Sequence, residues 1–191
     1  MSRNLIMGGV DYHNKTSAPW LSTEIFMQGC YKNCPECFNQ RLRSFESGVH
    51  MDWEDLYKSL VRHVPYRCVT FSGGEPMLQA KTLTYLAKSL KDSGFTICCY
   101  TGYQAEELPY LFPDSKDLLQ YIDVLIDGMF IRELLTPIDK DYKFTGSSNQ
   151  RIINVQKSLD TSFIELWTDK DTKEVLENER YVFGFREAKS Y

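Results

Sequence analysis

The chain has 191 residues, 42% of them apolar and 25% charged, which suits one domain with a packed core and argues against disorder for the bulk of it. Twenty-two Lys and Arg against 26 Asp and Glu leave a net charge of −4, a poor basis for gripping a nucleic-acid backbone. No apolar run approaches the roughly 20 residues of a membrane helix, and Met1 to Gly9 is too short an apolar stretch for a secretory leader, so a cytoplasmic chain with neither membrane nor nucleic-acid partner is expected.

Residues 1–21 read as polar and irregular, with Pro19 interrupting them. Thr23 to Gln28 reads as a short strand running into Gly29-Cys30 and a cysteine loop that lasts to about Asn39. Met51 to His63 has the period of an amphipathic helix, with Asp52 as N-cap, the stripe Leu56, Tyr57, Leu60 and Val61, and Pro65 as its stop. Arg67 to Phe71 is a strand that enters Ser72-Gly73-Gly74-Glu75-Pro76. A second helix spans Gln79 to Asp92 and ends at Gly94. Phe95 to Thr101 is a strand, Gln104 to about Leu111 a helix, and Asp123 to Asp127 a strand followed by Gly128. Ile152 to Val155 and Phe163 to Trp167 are weaker strand candidates. This alternation predicts an α/β fold, a mostly parallel sheet with outer helices. Such a sheet gathers its ligands beyond the C-terminal strand ends. The cysteine loop, the Gly-Gly-Glu-Pro turn, Tyr100-Thr101-Gly102-Tyr103 and Asp127-Gly128 all follow strands, so they are expected on one rim.

Cys30, Cys34 and Cys37 form a C-x3-C-x2-C pattern. In a reducing compartment such a cluster signals a metal or redox centre rather than disulfides. Three thiolates can hold three corners of an iron–sulfur cubane and leave the fourth iron open to a small chelator. Zinc completed by Cys68 or a histidine is the alternative metal, and a set of buried thiols the alternative without one. The glycines of Gly73-Gly74-Glu75 allow a close backbone approach to a ligand, and the carboxylate beside them suits an ammonium group. An ordinary strand-to-helix turn would read the same way. Cys68, Cys98 and Cys99 sit among apolar neighbours and read as buried, inert thiols. His13, His50 and His63 lack ligand spacing. Asp169 to Glu174 is a charged, solvated stretch. Arg41, Arg43 and Arg132 are candidate rim cations facing a partner.

Gln28-Gly29-Cys30-Tyr31-Lys32-Asn33-Cys34-Pro35-Glu36-Cys37-Phe38-Asn39 followed by Gly73-Gly74-Glu75-Pro76 resembles the radical S-adenosylmethionine superfamily, and within it the activating proteins of glycyl radical enzymes. Tyr100 to Tyr103, Ile122 to Gly128 and Gly146-Ser147-Ser148-Asn149-Gln150-Arg151 are similar to the activating proteins of the anaerobic (class III) ribonucleotide reductase. The resemblance covers about residues 24–155 of a single domain spanning 1–191, with 156–191 as a C-terminal extension, and implies a partial (β/α) barrel. It further implies a [4Fe-4S] cluster on Cys30, Cys34 and Cys37, with S-adenosyl-L-methionine chelating the free iron. One electron, from a donor such as flavodoxin, would cleave the sulfonium bond to methionine and a 5′-deoxyadenosyl radical. That radical would take a hydrogen atom from a glycine of the reductase's large subunit. The implied cofactor contacts are Glu36, Cys37 and Phe38 for the adenosyl part, Gly73, Gly74 and Glu75 for the methionine end, and Thr101, Gly102 and Asp127 on the rim. No general acid or base is implied. The chain departs from the family in Thr16 to Thr23, where a glycine-rich turn is common, and in Glu36, where many members of the superfamily carry an aromatic residue. A glycyl radical activase of another target, a small-molecule radical enzyme and a non-catalytic zinc module are the competing readings.

Overall fold

The computed structural model describes residues 3–64, 66–136 and 144–183; Pro65, the expected helix stop, lies outside them. The strands are β1 (Asn4–Asn14), β2 (Ser22–Met27), β3 (Val49–Asp52), β4 (Cys68–Gly73), β5 (Thr96–Tyr100), β6 (Val124–Asp127) and β7 (Arg151–Asn154). The helices are α1 (Trp53–His63), α2 (Ala80–Asp92), α3 (Leu108–Leu111), α4 (Ser115–Leu119), α5 (Val155–Thr161) and α6 (Asp169–Phe183). The described strands form one open sheet in the order β3-β1-β2-β4-β5-β6-β7. β2, β4, β5 and β6 are parallel neighbours, as the alternation of strands and helices predicts. The edges are antiparallel: β1 and β3 on one side, β7 on the other.

Period-two alternation gives the sheet two different faces. One carries Ile25, Met27, Val69, Phe71, Ile97, Cys99, Leu125 and Ile153, packed under Leu56, Leu60, Leu83, Leu86, Leu90, Leu108 and Leu118 of the helices. The other carries Cys68, Cys98, Val124 and Ile126, and its lower half is covered by Ala18 and Trp20. Trp167 meets Trp20 edge-on at 5.7 Å. The upper half of this second face, toward the C-terminal strand ends, opens into a cavity. Cys68, Cys98 and Cys99 are all fully buried, as expected of inert thiols.

Three expectations fail locally. Residues 4–14 are a strand, because alternate residues Leu5 and Met7 bury against the sheet; Gly8 and Gly9 dilute the strand pattern and coincide with a register shift opposite β2. Met51 and Asp52 end β3 rather than begin the helix, although Asp52 does cap it, accepting from Glu54 N–H at 2.8 Å. Phe163 to Trp167 makes only an isolated bridge, Leu166 to Ile153. The charged stretch after it opens α6.

Candidate functional site

The cysteine loop is held at both ends before it reaches any ligand. Gln28 leaves β2 with its backbone N–H donating to the Ile6 carbonyl at 2.9 Å. Its buried side-chain amide donates to the carbonyls of Ser44 (2.6 Å) and Arg41 (3.3 Å), tying the returning chain to the loop's base. Gly29 and Cys30 N–H groups donate to the Leu42 and Arg43 carbonyls at 2.8 and 3.1 Å. Between these anchors Glu36 takes φ = +53°, a left-handed turn unusual for a residue with a side chain. That turn brings Cys34 and Cys37 onto the wall that Cys30 already lines.

The Gly-Gly-Glu turn packs onto the root of the same loop. Gly74 N–H donates to the Met27 carbonyl and Glu75 N–H to the Gly29 carbonyl, both at 2.8 Å. A Cβ on Gly73 would lie 2.5 Å from the Met27 carbonyl oxygen, and one on Gly74 would lie 2.3 Å from that of Gly29. The glycines therefore serve a backbone-to-backbone approach as well as exposing the turn to the cavity. Glu75 is 1% exposed. One carboxylate oxygen accepts from Met77 N–H at 3.1 Å and the other from Gly102 N–H at 2.9 Å, so the side chain braces this turn against the end of β5. Burial pushes its pKa up to about 7, against the opposing pull of these donors and of Thr101.

These elements enclose a cavity of about 370 Å³. Cys30, Cys34, Cys37, Phe38, Gly73, Gly74, Glu75, Thr101 and Gly102 line it, so the expected convergence on one rim is observed. Phe38 is 63% exposed and packs on Phe130 with ring centroids 4.6 Å apart. Two expected residues stand apart. The Glu36 side chain points away and faces Arg132 at 3.8 Å. Asp127 lies behind the rim, 1% exposed, accepting from Ala105 N–H at 2.8 Å and from the Arg151 guanidinium. Of the candidate rim cations Arg43 reaches the cavity. Lys32, not singled out from sequence, also lines it and sits over the Tyr103 ring at 4.0 Å. Glu24 and Gln150 line it too. The signal for Gln150 was the Gly146–Arg151 string. Its amide oxygen accepts from Gly146 and Ser147 N–H, and its nitrogen donates to the Gly128 carbonyl. Nothing in the sequence separated Glu24 from an ordinary strand residue.

The donor set fits an iron–sulfur cubane. All three loop cysteines are free thiols on one wall. Burial, with the neighbouring thiols adding to it, pushes Cys30 and Cys34 above the ordinary thiol range. Thiols in such a setting ionise on binding a metal centre. Among the described residues no three His, Cys, Asp or Glu side chains come close enough to hold one metal ion. A single zinc is thus poorly served, whereas a cubane separates its ligands because each binds a different iron. Among the described residues no helix is long and apolar enough to cross a membrane.

Comparison with known proteins agrees with this donor set. Residues 21–153 match the family of 4Fe-4S single cluster domains. The anaerobic ribonucleoside-triphosphate reductase-activating protein of Haemophilus influenzae is 33% identical over 137 residues, 67% of this chain and 84% of that one. Its counterpart in Vibrio cholerae is 32% identical over 71% of this chain and 89% of its own length. The pyruvate formate-lyase-activating enzyme of Clostridium pasteurianum is 27% identical over 85% of this chain and 68% of its own. With a matching cluster domain over most of its length and relatives aligned over most of theirs, the chain belongs to the radical S-adenosylmethionine superfamily, in the family of anaerobic ribonucleoside-triphosphate reductase-activating proteins.

Proposed function

We propose that this chain installs a glycyl radical on an anaerobic ribonucleoside-triphosphate reductase, using a [4Fe-4S] cluster and S-adenosylmethionine. The observation that carries this reading is the convergence of three free thiols, the Gly73–Glu75 turn and the end of β5 around one open-sided cavity. When bound, cluster and S-adenosylmethionine supply reductive cleavage of the sulfonium bond and the acceptor for a hydrogen atom. The protein's part is positional. Cys30, Cys34 and Cys37 would hold three irons and leave the fourth without a protein ligand, open to S-adenosylmethionine. Glu75, with Thr101 and Gly102, fixes the cavity edge where an amino-acid end would chelate. Phe38 and Phe130 offer an apolar wall for an aromatic base. The packed lower half of the face keeps bulk water out from below.

The greater identity to the reductase-activating relatives favours the reductase over pyruvate formate-lyase as target. An electron donor of the flavodoxin type is part of this proposal, as is a cytoplasmic site of action. The test is anaerobic reconstitution with iron and sulfide. About four irons and four sulfides per chain are expected, and a glycyl signal in electron paramagnetic resonance when the reductase subunit, S-adenosylmethionine and dithionite are added. Cys34→Ala is expected to lose the cluster and all 5′-deoxyadenosine formation. One zinc and no sulfide would overturn the reading.

A further inference from the structure

The floor of the cavity is polar where the rest of that face is apolar. Glu24 on β2 is 7% exposed and lines the cavity. Ser72 Oγ donates to its Oε1 at 2.5 Å, and the Ser17 hydroxyl bonds it as well. Ser22, Thr70 and Ser17 continue the network beside it, with Thr70 Oγ1 donating to Ser22 Oγ at 2.9 Å. Among the described residues no Lys, Arg or His forms an ion pair with Glu24. A buried carboxylate without a cation is costly to keep, and nothing in the cofactor reading employs this one.

Its level in the sheet says what could reach it. Glu24 pairs in register with Thr70, and Phe26 with Ser72, so a carboxylate bonded to Ser72 leans up to just beneath Gly73. Below it the face is closed by Ala18 and Trp20. A segment that gives up a hydrogen atom in this cavity therefore meets Glu24 as the polar group of its floor. A glycine brings no side chain; the polar groups it carries into the cavity are peptide N–H and C=O, and a buried N–H needs an acceptor. A carboxylate has about four acceptor sites, and two hydroxyls leave some of them for the cavity.

We propose that Glu24 is a positioning residue for the target, accepting a hydrogen bond from the peptide N–H of the incoming glycine. This rests on the activase reading and adds the group that orients the substrate. The test uses the full chain, reconstituted and saturated with S-adenosylmethionine, without reductant. Calorimetry would measure its affinity for a capped peptide copying the reductase's glycine segment, and for the ester analogue in which the glycine N–H is replaced by oxygen. The wild type is expected to prefer the peptide by about tenfold or more, the size of one hydrogen bond to a charged group. Glu24→Ala is expected to bind both alike, and Glu24→Gln, which keeps a carbonyl acceptor and carries the test should the alanine variant not fold, to show a reduced preference. An undiminished preference in both variants would overturn the proposal. So would a loss of S-adenosylmethionine affinity in equilibrium dialysis with the peptide preference intact, which would place Glu24 in the cofactor site instead. A wild type that binds neither ligand would fail the activase reading itself, whatever Glu24 does.

Discussion

Gly74 is the residue on which the cavity lining and the loop geometry meet. Its absent Cβ is what lets the turn after β4 lie against the Gly29 carbonyl, and the displaced atoms would be backbone on both sides. Gly74→Ala is accordingly expected to push the Gly29–Cys30 root outward and lower the iron retained after reconstitution by at least half, while the helices under the other face still fold. Iron analysis beside far-ultraviolet circular dichroism checks both statements. The motif was legible because Gly-Gly before Glu stands out at the end of a strand. The role of Glu75 was legible only in part: a carboxylate at the turn was visible, but its bond to Gly102 N–H joins residues 27 positions apart, beside a local one to Met77 N–H. Glu36 shows the opposite failure. Its contribution is a left-handed backbone turn, which spacing does not reveal, and its side chain faces Arg132 rather than the cavity.

At the scale of elements, the parallel centre was legible because each strand is short, apolar and followed by a turn with a chemical signature. Of the antiparallel edges, β7 was legible as the weaker strand at Ile152 to Val155, whereas β1 and β3 were not. β1 hides behind its two glycines and its exposed outer half, and although β2 follows it directly in the chain, its other partner β3 begins only at Val49. Those edge strands nonetheless hold the cluster loop. Gln79, just before α2, behaves like a piece of strand: its side chain accepts from Ile6 N–H at 2.7 Å and donates to the Ile6 and Gln28 carbonyls. Gln28 then pins the returning chain through Ser44 and Arg41. Replacing Gln28 by Leu keeps its bulk and removes the donor, leaving the Ser44 carbonyl without its bond. The expected cost is about 2 kcal/mol, read as a lower urea midpoint at unchanged slope, with cluster retention falling alongside. If stability falls and iron content does not, the loop is held by its other contacts rather than by the Gln28 tie to Ser44 and Arg41.

Among the described residues the sheet has one face packed under helices and the other packed in its lower half, and the open upper part of that second face becomes the site. Closing the side wall of that open part falls to β7. The Gly146–Arg151 string bends back over Gly128, and Arg151 then joins three elements. Its guanidinium meets buried Asp127 at the end of β6 and Glu106 beyond β5, donating to Glu106 Oε1 at 2.9 Å. Asp127 in turn accepts from Ala105 N–H, and Gly128 N–H donates to the Tyr103 carbonyl, so the rim behind Thr101 hangs on the same clasp. The two carboxylates are unequal. Asp127 is 1% exposed and would be stranded without a cation, whereas the Glu106 side chain is 53% exposed and water can replace its partner. Removing one member of a buried pair costs about 3 to 5 kcal/mol, and an exposed one at most about 1 kcal/mol. Arg151→Ala should therefore destabilise the fold by about 3 kcal/mol in urea unfolding, and Glu106→Gln by less than about 1 kcal/mol. Adding Asp127→Asn to Arg151→Ala should recover much of the loss, because a neutral amide still accepts from Ala105 and no charge is left buried. Equal losses from Arg151→Ala and Glu106→Gln would mean that the clasp acts at the surface, and that something other than β7 holds the cavity wall.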